Sequence, residues 1–147
     1  MPVDHDRIRR LPERLVGRPL WILSRVAARS SALLARGFEE YGLRGHHYRL
    51  LAALAEWGAA SQADLGRDTG IDRSDVTAAT VDLEARGLVE RSADPEHRRR
   101  KIVTLTPAGT QMLARLEATI DQVHEAVLAP LTGAQRRELA RLLSKLG

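Results

Sequence analysis

The chain has 147 residues, 44% of them apolar and 29% charged, with 23 Lys and Arg against 19 Asp and Glu for a formal net charge of +4. That size and balance fit one ordinary folded domain, or one domain with extra helices used for pairing, and exclude a disordered polyelectrolyte. With no cysteine, disulfides, thiolate metal sites, a cysteine nucleophile and thiol switches are excluded as well.

Aromatic residues are only 3%, which favours helices packed through aliphatic ridges. The moderate positive charge admits nucleic acid or an anionic surface as a partner. The opening MPVDHDRIRRLPERLVG is charged and lacks the apolar stretch of a secretory signal. No apolar run approaches the roughly 20 residues of a bilayer span. A cytoplasmic protein without a membrane partner is expected.

In chain order, Pro12 and Pro19 punctuate the start, and Pro19 suits the first position of a helix. The helix that follows carries Ile22, Val26, Leu33, Leu34 and Phe38 at near-helical spacing, and Gly42 closes it. A second helix is predicted over about Arg44 to Glu56, with Tyr48, Leu51, Leu54 and Ala55 on one stripe. Ser61 and Asp64 mark an N-cap and its N3 partner, and Gly66 and Gly70 keep the third helix short. Asp72 and Asp75 repeat the device for a fourth helix whose inner stripe is Val76, Ala79 and Leu83, stopped by Gly87. A short helix, a Gly-containing turn and a second capped helix predict a helix-turn-helix.

Next come two β-prone runs, LVERS and KIVTL, separated by ADPEHRRR, too long for a two-residue turn. The connection ends in Arg98, Arg99 and Arg100, which run on into Lys101 at the start of KIVTL to make four consecutive cations. Thr106 and Pro107 read as an N-cap and N1 proline for a long helix with Met112, Leu116, Ile120, Val123 and Val127 on one face. Pro130 stops it, and Thr132 with Gln135 predicts a capping box for a last helix seamed by Leu139, Leu142, Leu143 and Leu146. Residues 1–44 and 107–147 therefore flank a compact middle with apolar stripes that need cover. A partner subunit is the simplest cover, and folding back onto the same domain is the alternative.

A helix-turn-helix followed by a hairpin with a cationic tip is a winged helix. Its second helix enters the major groove of DNA while the wing lies along the backbone or in a minor groove. Like charges crowded at the tip repel one another, and a polyanion relieves that repulsion by giving up its condensed counterions.

The string GLVERSADPEHRRRKIVTLTPAG resembles the wing of the MarR family of bacterial transcription regulators, and LEARGLVER resembles that family's lead-in to the hairpin. Asp94, Pro95, Arg98, Arg99, Val103, Leu105, Thr106 and Gly109 match the family pattern. The resemblance covers nearly the whole chain. It implies a mainly α fold with a small β-hairpin wing, a winged helix-turn-helix lobe over 45–105, and dimerisation helices in 1–44 and 107–147. It also implies a sequence-specific regulator of double-stranded DNA, more often a repressor, acting as a homodimer on a pseudo-palindromic operator.

Two departures stand in the wing. His97 replaces the second acid of the pattern, and Arg100 sits where a small residue is frequent. The family pattern implies that Asp94 holds Arg98 or Arg99 and leaves the other for the groove. A wing richer in charge predicts stronger, more salt-sensitive non-specific binding, and protonating His97 adds to it. In the fourth helix the family often has a basic residue where this chain has Ala78. Arg73 is suited to guanine, Ser74 and Thr77 to hydrogen bonds of either sense, and Ala78 to a thymine methyl, with Val81 nearby. Asp72 and Asp75 are caps before they are base readers. Gln62 is expected at a phosphate through its side chain or nearby backbone N–H groups.

The resemblance further implies a small anionic or aromatic effector where dimerisation helices meet the lobe. Trp21, Arg25 and Arg29 on the first helix and His46 and His47 on the second offer an indole, guanidinium and imidazole for an aromatic carboxylate. Trp21 in dimer packing and Arg25 in a solvated pair are the plainer readings. Adjacent His46 and His47 diverge by about 100° and cannot line one site equally. His5 and His124 are isolated, no metal is expected, and no cofactor is implied. The competing classes are a constitutive or architectural DNA-binding factor, a membrane-surface protein and an enzyme. The last lacks a nucleophile motif, a phosphate loop and a metal-ligand cluster.

Overall fold

The computed structural model describes residues 12–147, so His5 lies outside them. The elements are α1 (Glu13–Val16), α2 (Pro19–Glu39), α3 (Gly45–Trp57), β1 (Ala60–Ser61), α4 (Gln62–Thr69), α5 (Arg73–Ala85), β2 (Val89–Ala93), β3 (Lys101–Leu105), α6 (Pro107–Leu128) and α7 (Gly133–Leu143). This is the expected mainly α fold with a hairpin wing.

Local chemistry explains most of the boundaries. Ser61 Oγ accepts the Asp64 N–H at 3.1 Å and starts α4. Thr106 Oγ1 accepts the Gly109 N–H at 3.0 Å and starts α6 behind its N1 proline. Thr132 and Gln135 form the reciprocal capping box of α7. The expected cap of α5 is absent. Asp72 occupies the N-cap position, but its carboxylate makes no capping hydrogen bond. Helix α3 starts instead on an unanticipated contact, the Arg44 N–H donating to His47 Nδ1 at 2.9 Å.

The core lies among α3, α4, α5 and α6 and under the sheet. Leu50, Leu51, Leu65, Val76, Leu83, Val89, Val103 and Leu116 are all fully buried within it. The inner stripe of α5 is as expected. On α3, Leu50 takes the buried place expected of Ala55, which is exposed. Gly109 is required by packing, because a Cβ there would fall against the Leu88 carbonyl oxygen and the Leu105 side chain.

The hairpin is not alone. A two-residue strand, β1, pairs antiparallel with β3, Ser61 opposite Ile102, giving the order β1-β3-β2. This third strand lays the N-terminus of α4 beside the root of the wing. At the far side, α2 packs against α6, so the flanking helices do fold back in part. They still leave Leu20, Ile22, Leu23 and Val26 on α2 and Leu142, Leu143 and Leu146 at the C-terminal end exposed, Leu20 and Leu146 each at 72%. Large apolar side chains spaced this way along helices mark a surface that needs cover.

Candidate nucleic-acid interface

Helix α5 presents its first two turns and buries its inner face. Val76, Ala79, Thr80 and Leu83 are buried, while Arg73, Ser74, Thr77, Ala78 and Val81 are exposed. Asp72, Arg73, Ser74, Thr77 and Ala78 line an open concavity of about 670 Å³. The Thr77 hydroxyl donates to the Arg73 carbonyl at 2.9 Å. Its lone pairs therefore face outward as acceptors, whereas the Arg73 guanidinium is donor only. The two together can tell a base edge rich in acceptors from one that offers an amino group.

The other end of α5 is held from three sides. Asp82 Oδ2 lies 3.0 Å from His47 Nε2 on α3, and Arg86 Nε donates to the same carboxylate at 3.2 Å. The Arg86 guanidinium continues to the Tyr41 and Gly42 carbonyls at 3.2 and 2.9 Å, joining the α2–α3 turn to the end of α5. Glu84 accepts both the backbone N–H and the guanidinium of Arg91, fixing β2 to the helix. The bidentate contact holds the Glu84 carboxyl below the usual carboxylate range. None of these partners was evident in the sequence.

The wing tip is closed by its own backbone. Asp94 N–H donates to the Arg100 carbonyl and Arg100 N–H to the His97 carbonyl, at 3.0 and 2.8 Å. Asp94 does not hold a wing arginine as the family pattern implies. Its Oδ1 accepts the Glu96 N–H at 2.9 Å, so the side chain shapes the turn. Among the described residues Arg98, Arg99 and Lys101 make no ion pair. Arg100 does: its Nη2 lies 3.2 Å from Ser61 Oγ and 3.5 Å from Asp64 Oδ1. Gln62 is also engaged rather than open, its Nε2 donating to Thr80 Oγ1 at 3.0 Å and locking α4 to α5. Between wing, α4 and α5 lies a cleft of about 200 Å³ whose walls include Gln62, Arg73, Thr77, Arg99, Arg100 and Lys101. The structure thus brings Arg99, Arg100 and Lys101 of the wing and the exposed turns of α5 to one face.

The residues considered for an effector separate into two groups. Trp21, Arg25 and Arg29 share a shallow groove of about 280 Å³ along α2, with the Arg25 guanidinium 5.0 Å from the centre of the Trp21 ring. His47 is not available to a ligand, since it is buried and both ring nitrogens are in use. Burial pushes its pKa below the ordinary histidine value, against the opposing pull of Asp82. His46 faces elsewhere, toward Asp75 at 3.7 Å and the Arg49 guanidinium at 2.7 Å. Among the described residues no cluster of three metal-type ligands occurs, and no helix is long and apolar enough to cross a membrane.

A three-stranded sheet with a basic wing, packed beside a helix that exposes its first turns, defines a winged helix-turn-helix regulator. The model of the MarR family matches residues 41–100. The chain is 34% identical over 99 residues to a transcriptional regulatory protein for the hcr operon of Thauera aromatica, covering 67% of this chain but spanning only 60% of that relative. It is 30% identical over 125 residues to the HTH-type transcriptional repressor NicR of Pseudomonas putida, covering 85% of this chain and 79% of that one. A solved structure of Bordetella bronchiseptica BpsR, whose DNA binding is regulated by 6-hydroxynicotinic acid, matches at 30% identity and a TM-score of 0.71. That match covers 85% of this chain and 95% of the other. The chain belongs to the MarR family and is a transcriptional regulator of that family.

Proposed function

We propose that the protein is a homodimeric repressor of a pseudo-palindromic operator, released from DNA by a small aromatic or anionic compound. The observation that carries the DNA reading is the shared face of α5 and wing, where Arg73 and Thr77 border the same cleft as Arg99 and Lys101. In this reading α5 lies in the major groove with Arg73, Ser74, Thr77 and Ala78 at base edges. Arg98 and Arg99 meet phosphates or the narrow minor groove alongside. Half-sites are then about one helical turn apart, roughly 10 base pairs, on one side of the duplex.

Dimerisation is supported by the exposed apolar side chains of α1, α2 and the C-terminal helix, which a second copy would cover. The effector reading is supported by Trp21, Arg25 and Arg29 on α2, an aromatic face beside two cations. It is also supported by the regulation of BpsR by an aromatic acid. An effector bound between dimerisation helices and lobe acts only through its different affinity for the DNA-competent and DNA-incompetent arrangements.

The test is fluorescence anisotropy on the intergenic DNA upstream of the gene, titrated across salt and repeated with a panel of aromatic acids. Tight, salt-sensitive binding of a dimer, abolished by one compound, is expected. Binding untouched by every acid would favour a constitutive factor, and no preference over random duplex would overturn the sequence-specific reading.

A further inference from the structure

The four consecutive cations of the wing are not equivalent. Arg98, Arg99 and Lys101 make no ion pair among the described residues, whereas Arg100 turns back on the protein. Its Nη2 donates to Ser61 Oγ at 3.2 Å and sits 3.5 Å from Asp64 Oδ1. Ser61 is used twice, since the same oxygen caps α4 by accepting the Asp64 N–H. Arg100 also closes the hairpin through its backbone, accepting from Asp94 N–H and donating to the His97 carbonyl. The pairing of Ser61 with Ile102 sets the wing root beside α4 in the first place. One residue thus ties the tip of the hairpin to itself and to the neighbouring helix.

Charge argues against a phosphate at this guanidinium. Asp64 already faces Arg67 at 3.0 Å as well as Arg100. A phosphate brought to Arg100 would meet the Asp64 carboxylate as a like charge and would compete with it. The neighbouring Arg99 lines the cleft with Arg73 and, among the described residues, has no such carboxylate partner. An exposed ion pair adds little to the stability of the whole fold. A hairpin tip projecting beyond its sheet opens locally at small cost, so the same contact weighs heavily on where the wing points.

We propose that Arg100 is a positioning residue, not a DNA ligand: with Ser61 and Asp64 it clamps the wing to the start of α4 and keeps Arg99 beside the exposed turns of α5. The inference rests on the reading of the protein as a duplex-binding regulator. It assigns a role to the one wing residue that departs from the family pattern by gaining a cation.

The test compares Arg100→Ala, Asp64→Asn, their combination and Arg99→Ala in operator binding across salt. Asp64→Asn keeps the backbone cap of α4 and removes the carboxylate charge that faces Arg100 and Arg67. The clamp predicts that Arg100→Ala and Asp64→Asn each weaken binding several-fold with the salt slope unchanged, and that the double variant is no worse than either single one. Arg99→Ala should flatten the slope by about one. A direct phosphate contact predicts the opposite sign: Asp64→Asn would tighten binding, and Arg100→Ala would flatten the slope by about one. That result would overturn the proposal.

A second readout does not depend on DNA. Trypsin should cut the free protein after Arg98 and Arg99 faster in Asp64→Asn, which retains every tryptic site of the wing, while the melting temperature stays unchanged. Unaltered cleavage would overturn the clamp. Should the wild-type protein show no operator preference, the sequence-specific reading fails while the proteolysis still judges the clamp.

Discussion

The two ends of helix α5 are built on opposite terms. Its last turns are tied to three neighbours, to α3 through Asp82 and His47, to the α2–α3 turn through Arg86, and to β2 through Glu84 and Arg91. Its first turns carry Arg73, Ser74, Thr77 and Ala78 outward, with no ion pair on Arg73 among the described residues. In the proposed reading one helix both anchors and reads: the ties begin at Asp82, about one turn beyond Ala78, so rigidity is achieved without using the groups that must stay available. Ties of this kind restrict orientation at low entropic loss on binding, because the helix is already ordered before a partner arrives.

The largest expected effect breaks the anchored end. Leu83→Ala empties a fully buried site and should lower unfolding stability by about 2–5 kcal/mol in urea denaturation. A change below about 1 kcal/mol would mean that the end of α5 is not seated in the core. The counterpart at the reading end has the reverse profile. Arg73→Ala should alter stability by no more than about 0.5 kcal/mol. It should weaken binding to the preferred sequence by about 1–3 kcal/mol, with a smaller effect on random duplex. Equal losses on both DNAs would make Arg73 a backbone contact. Smaller again is Arg86→Ala, which releases two carbonyl hydrogen bonds on a part-exposed side chain and should cost about 1 kcal/mol. If the Arg86 tie orients α5, operator affinity falls more than stability does, and equal stability and affinity losses would argue otherwise.

The elements legible in the sequence are those specified within a few residues. Ser61, Thr106 with Pro107, and Thr132 with Gln135 are caps whose partners lie three positions along the chain, and each acts where the spacing predicts. The wing strands are legible for the same reason, as apolar runs flanked by turn residues. What escaped is long-range. Strand β1 is two residues long and exists only because β3, some 40 residues away, offers it an edge. Arg100 reads as one more cation of a basic tip until its contact with Asp64 is seen across 36 positions. Gln62 and His47 look available in one dimension and are occupied in three, by Thr80 and by Arg44 with Asp82. Asp72 shows the converse failure. The residue type and place suit a cap, yet its carboxylate makes no capping hydrogen bond.

The smallest predicted effect probes the tie between α3 and α5 through pH. The His47 Nδ1 must be unprotonated to accept the Arg44 N–H, so the ring proton sits on Nε2 and donates toward Asp82. Burial is the largest influence and lowers the pKa from the ordinary value of 6.5. Asp82 opposes that shift, and Arg86 and Arg44 reinforce it. The unfolded chain therefore binds a proton more readily than the folded one. The stability held by the neutral ring is fully present above about pH 6.5 and declines as pH falls below it. For a single proton the slope cannot exceed about 1.4 kcal/mol per pH unit, and Asp82 works against the shift that produces it. Urea midpoints measured from pH 7.5 to 5 should fall in the wild type and flatten in His47→Gln, whatever the baseline stability of the variant. A decline that persists undiminished in His47→Gln would mean that the buried imidazole between α3 and α5 is not the group whose protonation loosens the fold.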